Sequence, residues 1–383
     1  MNQLVDVNLG FENAYSTKSQ FVINAPGRVN LIGEHTDYND GFVLPCAINY
    51  STLIAVSART DDKIRVTALD YNNDHDEFLI NAPIEFVKSK VWVNYVRGVV
   101  DELKKSGYKL QGCNLAIKGN IPQGAGLSSS AALEVGIAAA FNKLCNLNLT
   151  RKQIAMICQA AENNFVGCAC GIMDQLISAN GIEGKALGID CRTLELTQVS
   201  VPDGMSILMV NSNVKRGLLD SEYNLRRQEC ESAAEFFGVT HLRDVSINTF
   251  EEKKHELDPT VAKRAEHIVY ENQRTLDAMN ALNRNDINSI SALMADSHES
   301  MKTLFEITIP EIDFLVELVK NKIDGRGGVR MTGGGFGGCI VALVCDDAVD
   351  EVTATIESNY FEKTGLKESI YMSRPVNGVG LAV

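Results

Sequence analysis

The sequence predicts an α+β protein with two domains, and three observations support this prediction. The chain has 383 residues, which is more than one ordinary hydrophobic core accommodates. Hydrophobic residues make up 45% and charged residues 22% of the chain, which is the usage of a globular protein. Short β-like runs dominate the first half and helical patterns the second, and such segregation is typical of α+β folds. We place the boundary near Asp190, so that the predicted domains are residues 1–190 and 191–383.

Period-two and period-3.6 patterns define the elements in chain order. Short apolar and β-branched runs predict strands at residues 21–24, 52–57, 63–67, 77–80 and 114–117. Amphipathic or alanine-rich patterns predict helices at residues 91–105, 131–145 and 151–166. The later chain predicts strands at 185–190, 206–211, 339–345 and the C-terminus, and helices through most of 221–322 and near 350–364. The segment 131–145 is nearly all apolar, so we expect a buried helix that holds the loop before it rigidly.

Composition narrows the range of partners and compartments. The formal net charge is −13 and no lysine- or arginine-rich block occurs, which argues against nucleic acid or an anionic membrane as a partner. This charge does not exclude an anionic nucleotide, because a local site can be positive. Of the ten cysteines, the closest pair, Cys168 and Cys170, lacks zinc-ligand spacing, so we expect reduced thiols in a cytoplasmic protein. The polar N-terminus has no signal-peptide core, and the longest apolar run, Cys339–Cys345, is too short to span a membrane.

The loop Gly119–Ser130 is rich in glycine and serine and runs into the predicted helix at residue 131. Glycines allow close backbone approach and positive φ, and the free N–H groups at a helix start favour a phosphate. A serine hydroxyl can in addition ligate Mg²⁺. No G-x-x-x-x-G-K-[ST] motif is present, so this is not a Walker-type loop. Two interpretations stay open: a phosphate site, or a polar β-to-α connection with a serine N-cap.

A second polar segment, which we call the polar turn, spans Glu34–Asp37 and follows Arg28 in the chain. The carboxylates of Glu34 and Asp37, with His35 between them, suit either a metal or the vicinal hydroxyls of a sugar. Their spacing matches no standard metal site on a helix, and a capped turn with solvated charges is the alternative. Arg28 is a natural partner for a carboxylate or for a developing phosphoryl charge.

Two acidic residues and a glycine-rich segment complete the candidate chemistry. Asp174 opens another predicted helix, whose dipole keeps it ionised; it can accept a proton or orient a hydroxyl, although capping is the simpler interpretation. Glu162 lies on the alanine-rich helix and is by default a surface glutamate. Residues 333–338 satisfy G-x-G-x-x-G, but a strand follows them instead of a helix, so we reject a dinucleotide-binding loop.

Taken together and in order, these segments resemble the three signature motifs of the GHMP kinases. Residues Gly27–Asp37 are similar to the signature of the galactokinase family within that superfamily, and the resemblance extends to 166–176, 211–213 and 221–224. It covers nearly the whole chain, with no departure at the expected functional positions. The resemblance implies the two-domain GHMP kinase fold: an N-terminal domain like ribosomal protein S5 domain 2, a C-terminal ferredoxin-like α+β domain, and an active site in the cleft between them.

The same resemblance implies an activity and its reactants. The expected reaction is ATP-dependent phosphorylation of α-D-galactose at its anomeric hydroxyl, which gives galactose 1-phosphate and ADP and is the first committed step of the Leloir pathway. ATP is the expected co-substrate and Mg²⁺ the expected metal. Asp174 is expected to accept the proton of the attacking hydroxyl, and Arg28 to stabilise the charge of the transition state.

The resemblance also assigns the binding residues, position by position. The residues implied for the sugar are Glu34, His35, Thr36, Asp37, Gly171 and Tyr223. The residues implied for ATP are Gly124, Ala125, Gly126, Leu127, Ser128, Ser129 and Ser130. The residues implied for Mg²⁺ are Ser130 and Glu162.

Two alternatives stay open at this point. One is another kinase of the superfamily, acting on N-acetylgalactosamine, arabinose, mevalonate or homoserine; the polar turn disfavours the non-sugar substrates, whereas an acetamido pocket is harder to exclude. The other is a sugar- and ATP-binding sensor without catalysis, which the intact serine-rich loop disfavours. We further expect a monomer or weak homo-oligomer in the cytoplasm, with small-molecule substrates and no nucleic-acid or membrane partner.

Overall fold

The computed structural model describes residues 3–168, 170–214 and 219–382. The strands in the first part of the chain are β1 (Phe21–Asn30), β2 (Phe42–Val43), β3 (Pro45–Ala58), β4 (Lys63–Ala68), β5 (Asp74–Leu79), β6 (Cys113–Gly119), β7 (Lys185–Asp190) and β8 (Leu196–Ser200). The helices there are α1 (Gln3–Tyr15), α2 (Val91–Lys105), α3 (Ser129–Leu144), α4 (Arg151–Ala161) and α5 (Met173–Asn180). A π-helical turn, Glu162–Val166, continues α4.

The later part of the chain is mainly helical, as the sequence predicts. Its strands are β9 (Met205–Asn211), β10 (Gly327–Thr332), β11 (Cys339–Cys345), β12 (Ser369–Ser373) and β13 (Gly380–Leu381). Its helices are α6 (Leu219–Phe237), α7 (Ile247–Lys253), α8 (Pro259–Asn283), α9 (Ile287–Thr303), α10 (Pro310–Ile323) and α11 (Val349–Thr364). None of the described helices is both long and apolar enough to cross a membrane.

The first domain is built on a six-stranded sheet in the order β13-β1-β3-β6-β4-β5. Its strands are antiparallel except for the parallel pair β4 and β6. Side chains alternate between the two faces of a strand, so Ile23 and Ala25 of β1 pack against the helices α2 to α5, whereas Val22 packs against α1. A small second sheet, β2-β7-β8, adjoins this domain.

The second domain contains an antiparallel sheet in the order β10-β11-β9-β12. Its central strand β11 is apolar throughout because both of its faces are buried. Ile340, Ala342 and Val344 face the helical core of the second domain. Cys339, Val341 and Leu343 face a separate core shared with the first domain. The boundary between the two domains is therefore itself a hydrophobic core, which fixes their residues relative to each other.

The structure confirms the α+β class and the buried helix, and it differs from the predicted elements in several details. β1 continues to Asn30, beyond the predicted end at residue 24, because Val29 and Asn30 still pair with β3. The predicted helix 151–166 is α-helical only as far as Ala161. Four elements that the sequence pattern does not predict are α1, β2, β8 and β10. β10 and β11 are antiparallel and flank the glycine-rich segment 333–338, which agrees with the rejection of a dinucleotide-binding loop.

The chain does not divide simply at residue 190. β7 and β8 pair with each other on either side of that point. The last strand, β13, returns to the first domain and pairs with β1. The boundary between residues 190 and 191 stays a prediction.

Candidate active site

Arg28 and Asp174 form an ion pair at the centre of the candidate site. Arg28 follows an irregularity of β1 at Pro26, and Asp174 lies in the first turn of α5. The guanidinium donates from Nε to Oδ1 at 2.7 Å and from Nη2 to Oδ2 at 2.6 Å. This bidentate geometry orients both groups. The carboxylate still has lone pairs for a further donor, so the pair can receive a substrate hydroxyl.

The glycine- and serine-rich loop packs directly against this pair. Arg28 Nη1 donates to the Gly126 carbonyl at 2.5 Å. Gly124 and Gly126 have φ of +72° and +77°, in the left-handed region that favours glycine. A Cβ at Gly124 would meet no atom within 4 Å, so the loop has open space on that side. Ala125 and Leu127, in contrast, are buried in the core between the domains and anchor the loop.

The serine N-cap interpretation of this loop is wrong. Ser128 precedes α3, but its side chain makes no capping hydrogen bond. Its hydroxyl donates to Asp174 instead. The N–H groups at the start of α3 are therefore not satisfied by Ser128, and together with the helix dipole they favour an anion.

The polar turn lies beside Asp174 and close to Gly171. A Cβ at Gly171 would lie 1.9 Å from Asp37 Oδ2, so only glycine allows this carboxyl to lie where it does. Burial, and secondly the negative charge of Asp174, raises the pKa of Asp37 to about 6. The rings of His35 and Tyr223 are 5.1 Å apart. The structure thus brings together four residues that the family resemblance assigns to a sugar: His35, Asp37, Gly171 and Tyr223.

Glu34 and Thr36 are engaged within the protein. The Glu34 carboxylate accepts from Arg330 Nη2 at 2.6 Å and from the Gly333 N–H at 2.8 Å. The Thr36 hydroxyl is within hydrogen-bonding distance of two carbonyls, those of Phe42 at 2.7 Å and Gly33 at 3.0 Å. Both side chains shape the polar turn, and their contact with a sugar stays a prediction.

Histidine 35 is uncharged in this setting. Burial, and secondly the nearby His267, lowers the pKa of His35 to about 3. Its Nδ1 lies 2.8 Å from the Tyr38 hydroxyl, and its ring also packs against Phe305 at 4.9 Å. A neutral imidazole held on several sides serves as a fixed wall and hydrogen-bonding group and carries no charge.

Glu162 is buried, so the interpretation of this residue as a surface glutamate is wrong. Its side chain hydrogen-bonds the Ser130 hydroxyl and accepts from Gln175 Nε2 at 2.6 Å. The same amide nitrogen lies 3.3 Å from Glu134. Burial, and secondly the charge of Asp174, raises the pKa of Glu162. A cation beside Glu162 would relieve this unfavourable concentration of carboxylates.

These residues fit Mg²⁺ only as a partial ligand set. Within the described residues, no group of three or more His, Cys, Asp or Glu side chains could hold a metal. Mg²⁺ is usually bound through one or two protein ligands together with substrate phosphates and water. Ser130 and Glu162 place two side-chain oxygens close together beside the loop, which fits a metal that arrives with a phosphate, and their role as ligands stays a prediction.

A pocket of about 190 Å³ opens beside the same loop, and the sequence pattern does not reveal it. Trp92 and Tyr95 of α2 line it, with Asp70, Leu133 and the loop residue Ser130. The two aromatic residues are three positions apart and so share a helix face. This spacing was the one feature of the sequence that could have indicated the pocket. An apolar pocket with aromatic walls and an acidic group next to a phosphate loop suits a nucleotide base.

Three family models match this chain. The galactose-binding signature of galactokinases matches residues 10–58, the N-terminal domain of GHMP kinases residues 94–181, and the C-terminal domain of GHMP kinases residues 278–363. These matches cover Arg28 and the polar turn, the loop with Asp174, and the glycine-rich segment of the second domain.

Solved structures of galactokinase, mevalonate kinase and homoserine kinase are also similar to this chain. A galactokinase of Lactococcus lactis, solved as a complex with galactose, is 34% identical over 100% of both chains with a TM-score of 0.94. The mevalonate kinase of Methanococcus jannaschii is 20% identical over 94% of this chain and 99% of its own, with a TM-score of 0.66. The homoserine kinase of Cytophaga hutchinsonii is 16% identical over 96% and 98%, with a TM-score of 0.64. The last two are similar in fold alone.

Proposed function

Because this chain belongs to the galactokinase family of the GHMP kinases, we propose that it transfers the γ-phosphoryl group of ATP to the anomeric hydroxyl of α-D-galactose. The observation that carries this proposal is the position of the Arg28–Asp174 pair. It lies between the glycine- and serine-rich loop and the polar turn, with contacts to Gly126 and Ser128 on one side. On the other side lies Asp37, and the negative charge of Asp174 is close enough to raise the pKa of Asp37.

In the proposed reaction the anomeric oxygen forms a new bond to the γ-phosphorus while the bond from that phosphorus to the β-phosphate oxygen breaks. ADP leaves with the electrons of the broken bond. Asp174 accepts the proton of the attacking hydroxyl, and Arg28 stabilises negative charge on the transferred group. Phosphoryl transfer needs positioning and charge stabilisation more than covalent chemistry, and a fixed ion pair provides both.

The two substrates occupy separate parts of this arrangement. The triphosphate lies against Gly124–Ser130 and the start of α3, and the adenine base lies in the pocket lined by Trp92 and Tyr95. The sugar lies against Asp37, the Gly171 backbone and Tyr223. Ser130 and Glu162 would hold Mg²⁺, which would neutralise charge on the phosphate oxygens. The cytoplasm is the proposed location, since ATP and reduced thiols are found there and none of the ten cysteines, all of them among the described residues, forms a disulfide.

A coupled assay of ADP release tests the proposal. ATP is supplied with galactose, N-acetylgalactosamine, arabinose or glucose, and the sugar product is identified by phosphorus NMR. We expect turnover with galactose and a sugar 1-phosphate product. Turnover that is fastest with N-acetylgalactosamine would favour the related kinase, and sugar binding without ADP release would favour a sensor.

Replacement of Gly171 by alanine is expected to raise the KM for galactose by about 10²-fold, because an added Cβ displaces the Asp37 carboxyl. The KM for ATP is expected to be unchanged. Gly380→Ala is the matched control, since a Cβ there has its nearest contact at 4.0 Å. A Gly171→Ala enzyme with the galactose KM of the unmodified protein would contradict the assignment of Asp37 and Gly171 to the sugar.

Replacement of Glu162 by alanine is expected to raise the Mg²⁺ concentration for half-maximal activity at least about tenfold, because even the loss of a group that only supports a ligand has an effect of this size. A second measurement does not need turnover: calorimetry of ADP binding with and without Mg²⁺. Mg²⁺ is expected to strengthen ADP binding to the unmodified protein and to have little effect on the variant. Glu102→Gln, on α2 and paired with Lys105, is the control. An unchanged Mg²⁺ dependence in both measurements would exclude Glu162 as a ligand.

A further inference from the structure

A buried carboxylate of the second domain binds the backbone of the polar turn. Glu271, on α8, is completely buried and lies 238 residues from Gly33 in the sequence. Its Oε1 accepts from the Gly33 N–H at 3.0 Å and from the Glu34 N–H at 3.3 Å. Two successive N–H groups that converge on one anionic oxygen form a nest, which favours negative charge.

The surroundings of Glu271 keep it ionised. Burial acts to raise its pKa, but the positive charge of Arg274 and, more weakly, that of Arg330, together with the hydrogen bond from Ser297, outweighs burial and holds the pKa well below the usual range. Arg274 Nε donates to Oε2 at 2.7 Å, and the Ser297 hydroxyl donates to Oε1 at 2.7 Å. The carboxylate is thus a fixed anion with a partner on every side.

A histidine of the same helix holds the carbonyl of the turn. His267 Nε2 lies 3.1 Å from the Glu34 carbonyl, and its Nδ1 lies 2.8 Å from the Ser300 hydroxyl. A carbonyl only accepts, so Nε2 carries the proton and Nδ1 accepts from Ser300. Burial lowers the pKa of His267 to about 4, which agrees with this neutral form.

The polar turn needs such support because its backbone is strained. Gly33 has φ of +95°, and His35, a buried non-glycine residue, has φ of +62°. A non-glycine residue in the left-handed region costs free energy and persists only where its surroundings hold it. The supporting groups reach the turn from α8 and β10, both in the second domain.

We propose that Glu271 is a positioning residue for the sugar: by binding the N–H groups of Gly33 and Glu34, it holds the polar turn in the shape that places Asp37 against the substrate. The inference rests on the proposed function, since it concerns the sugar site of that reaction. Glu271 itself does not touch the substrate. From α8 of the second domain, Glu271 fixes the polar turn, with which the first domain binds the sugar.

The test compares Glu271→Leu and Glu271→Gln with the unmodified enzyme. Galactose binding is measured by calorimetry without ATP, and the KM and kcat for each substrate by ADP release. We expect Glu271→Leu to lose about 10²-fold in galactose affinity and in kcat/KM for galactose, as displacement of a binding group by about 1 Å does. The KM for ATP stays unchanged. Glu271→Gln keeps one acceptor oxygen and is expected to recover most of the loss.

A stability control separates positioning from general damage. Ile356→Ala opens a cavity in the core of the second domain on α11, away from the turn. It is expected to lower Tm as Glu271→Leu does while leaving the galactose affinity unchanged. Equal losses of affinity for galactose and ATP in Glu271→Leu, or no loss of galactose affinity, would overturn the inference. Failure of the unmodified protein to bind galactose would instead overturn the proposed function. If Glu271→Leu does not fold, Glu271→Asp decides in its place. Its shorter side chain withdraws the acceptor from the Gly33 and Glu34 N–H groups, so the galactose KM is expected to rise while the ATP KM stays unchanged, and an unchanged galactose KM would overturn the inference.

Discussion

Replacement of Asp174 by asparagine is expected to lower kcat by about 10²- to 10⁴-fold, the usual contribution of a positioned general base. Asparagine has nearly the same shape but cannot accept the proton of the anomeric hydroxyl. It also removes the charge that holds Arg28 through two hydrogen bonds. The measurement is single-turnover formation of ADP with saturating ATP and galactose. The KM values are expected to change much less than kcat, because the two substrates bind mainly to other residues.

A matched aspartate elsewhere in the chain controls for the loss of an ion pair. Asp76 binds Arg97 in the same bidentate manner, at 2.7 and 2.9 Å, but lies outside the site. Asp76→Asn should lose stability and keep its kcat. If Asp174→Asn retains kcat within about tenfold of the unmodified enzyme, Asp174 is not the proton acceptor.

Replacement of Arg330 by methionine is expected to lower the free energy of unfolding by about 3–5 kcal/mol, the typical cost of removing one partner of a buried ion pair. Arg330 is completely buried, and its Nη2 donates to Glu34 at 2.6 Å. Without it, the Glu34 carboxylate stays in the core with no opposite charge beside it. The measurement is urea unfolding followed by circular dichroism, with Tm from calorimetry as a second observable.

The double variant Glu34→Gln with Arg330→Met is the decisive comparison. It removes both charges, so it is expected to be more stable than Arg330→Met alone. The pH dependence has a defined sign. Burial raises the pKa of Glu34 even with Arg330 present, so in Arg330→Met the folded state binds this proton more tightly than the unfolded state. The stability deficit should therefore shrink as the pH is lowered. A double variant no more stable than the single one would refute this account.

Local patterns in the sequence were sufficient for most helices, whereas the proposed catalytic roles of Arg28 and Asp174 came from the family resemblance. The helix at 131–145 is predicted because its composition is apolar, and α3 is buried as expected. Asp174 is predicted at a helix start, and it lies in the first turn of α5. The pairing of Arg28 with Asp174 cannot be predicted from any local pattern, because the two residues are 146 positions apart. That contact arises from the packing of α5 on β1.

The other residues of the site that sequence analysis did not identify also come from distant parts of the chain or from packing. Glu271 and Arg330 reach the polar turn over 238 and 296 residues of sequence, and on their own elements they resemble ordinary charged residues. β10 was missed because its two glycines weaken the strand pattern; its burial comes from pairing with β11. The role of Glu162 in the core was missed because neither the π-helical turn nor the hydrogen bond from Gln175 has a local signature.

The pairing of β13 with β1 has a consequence for how this protein is made. Gly380 and Leu381 pair with Asn24 and Ile23, so the largest sheet lacks its outermost strand until the ribosome has added residue 381. Until then β1, the strand that carries Arg28, exposes an unpaired edge on the nascent chain, and such edges recruit other strands. Truncated products that stop a few residues short of β13 should therefore aggregate even though they contain every residue of the candidate active site.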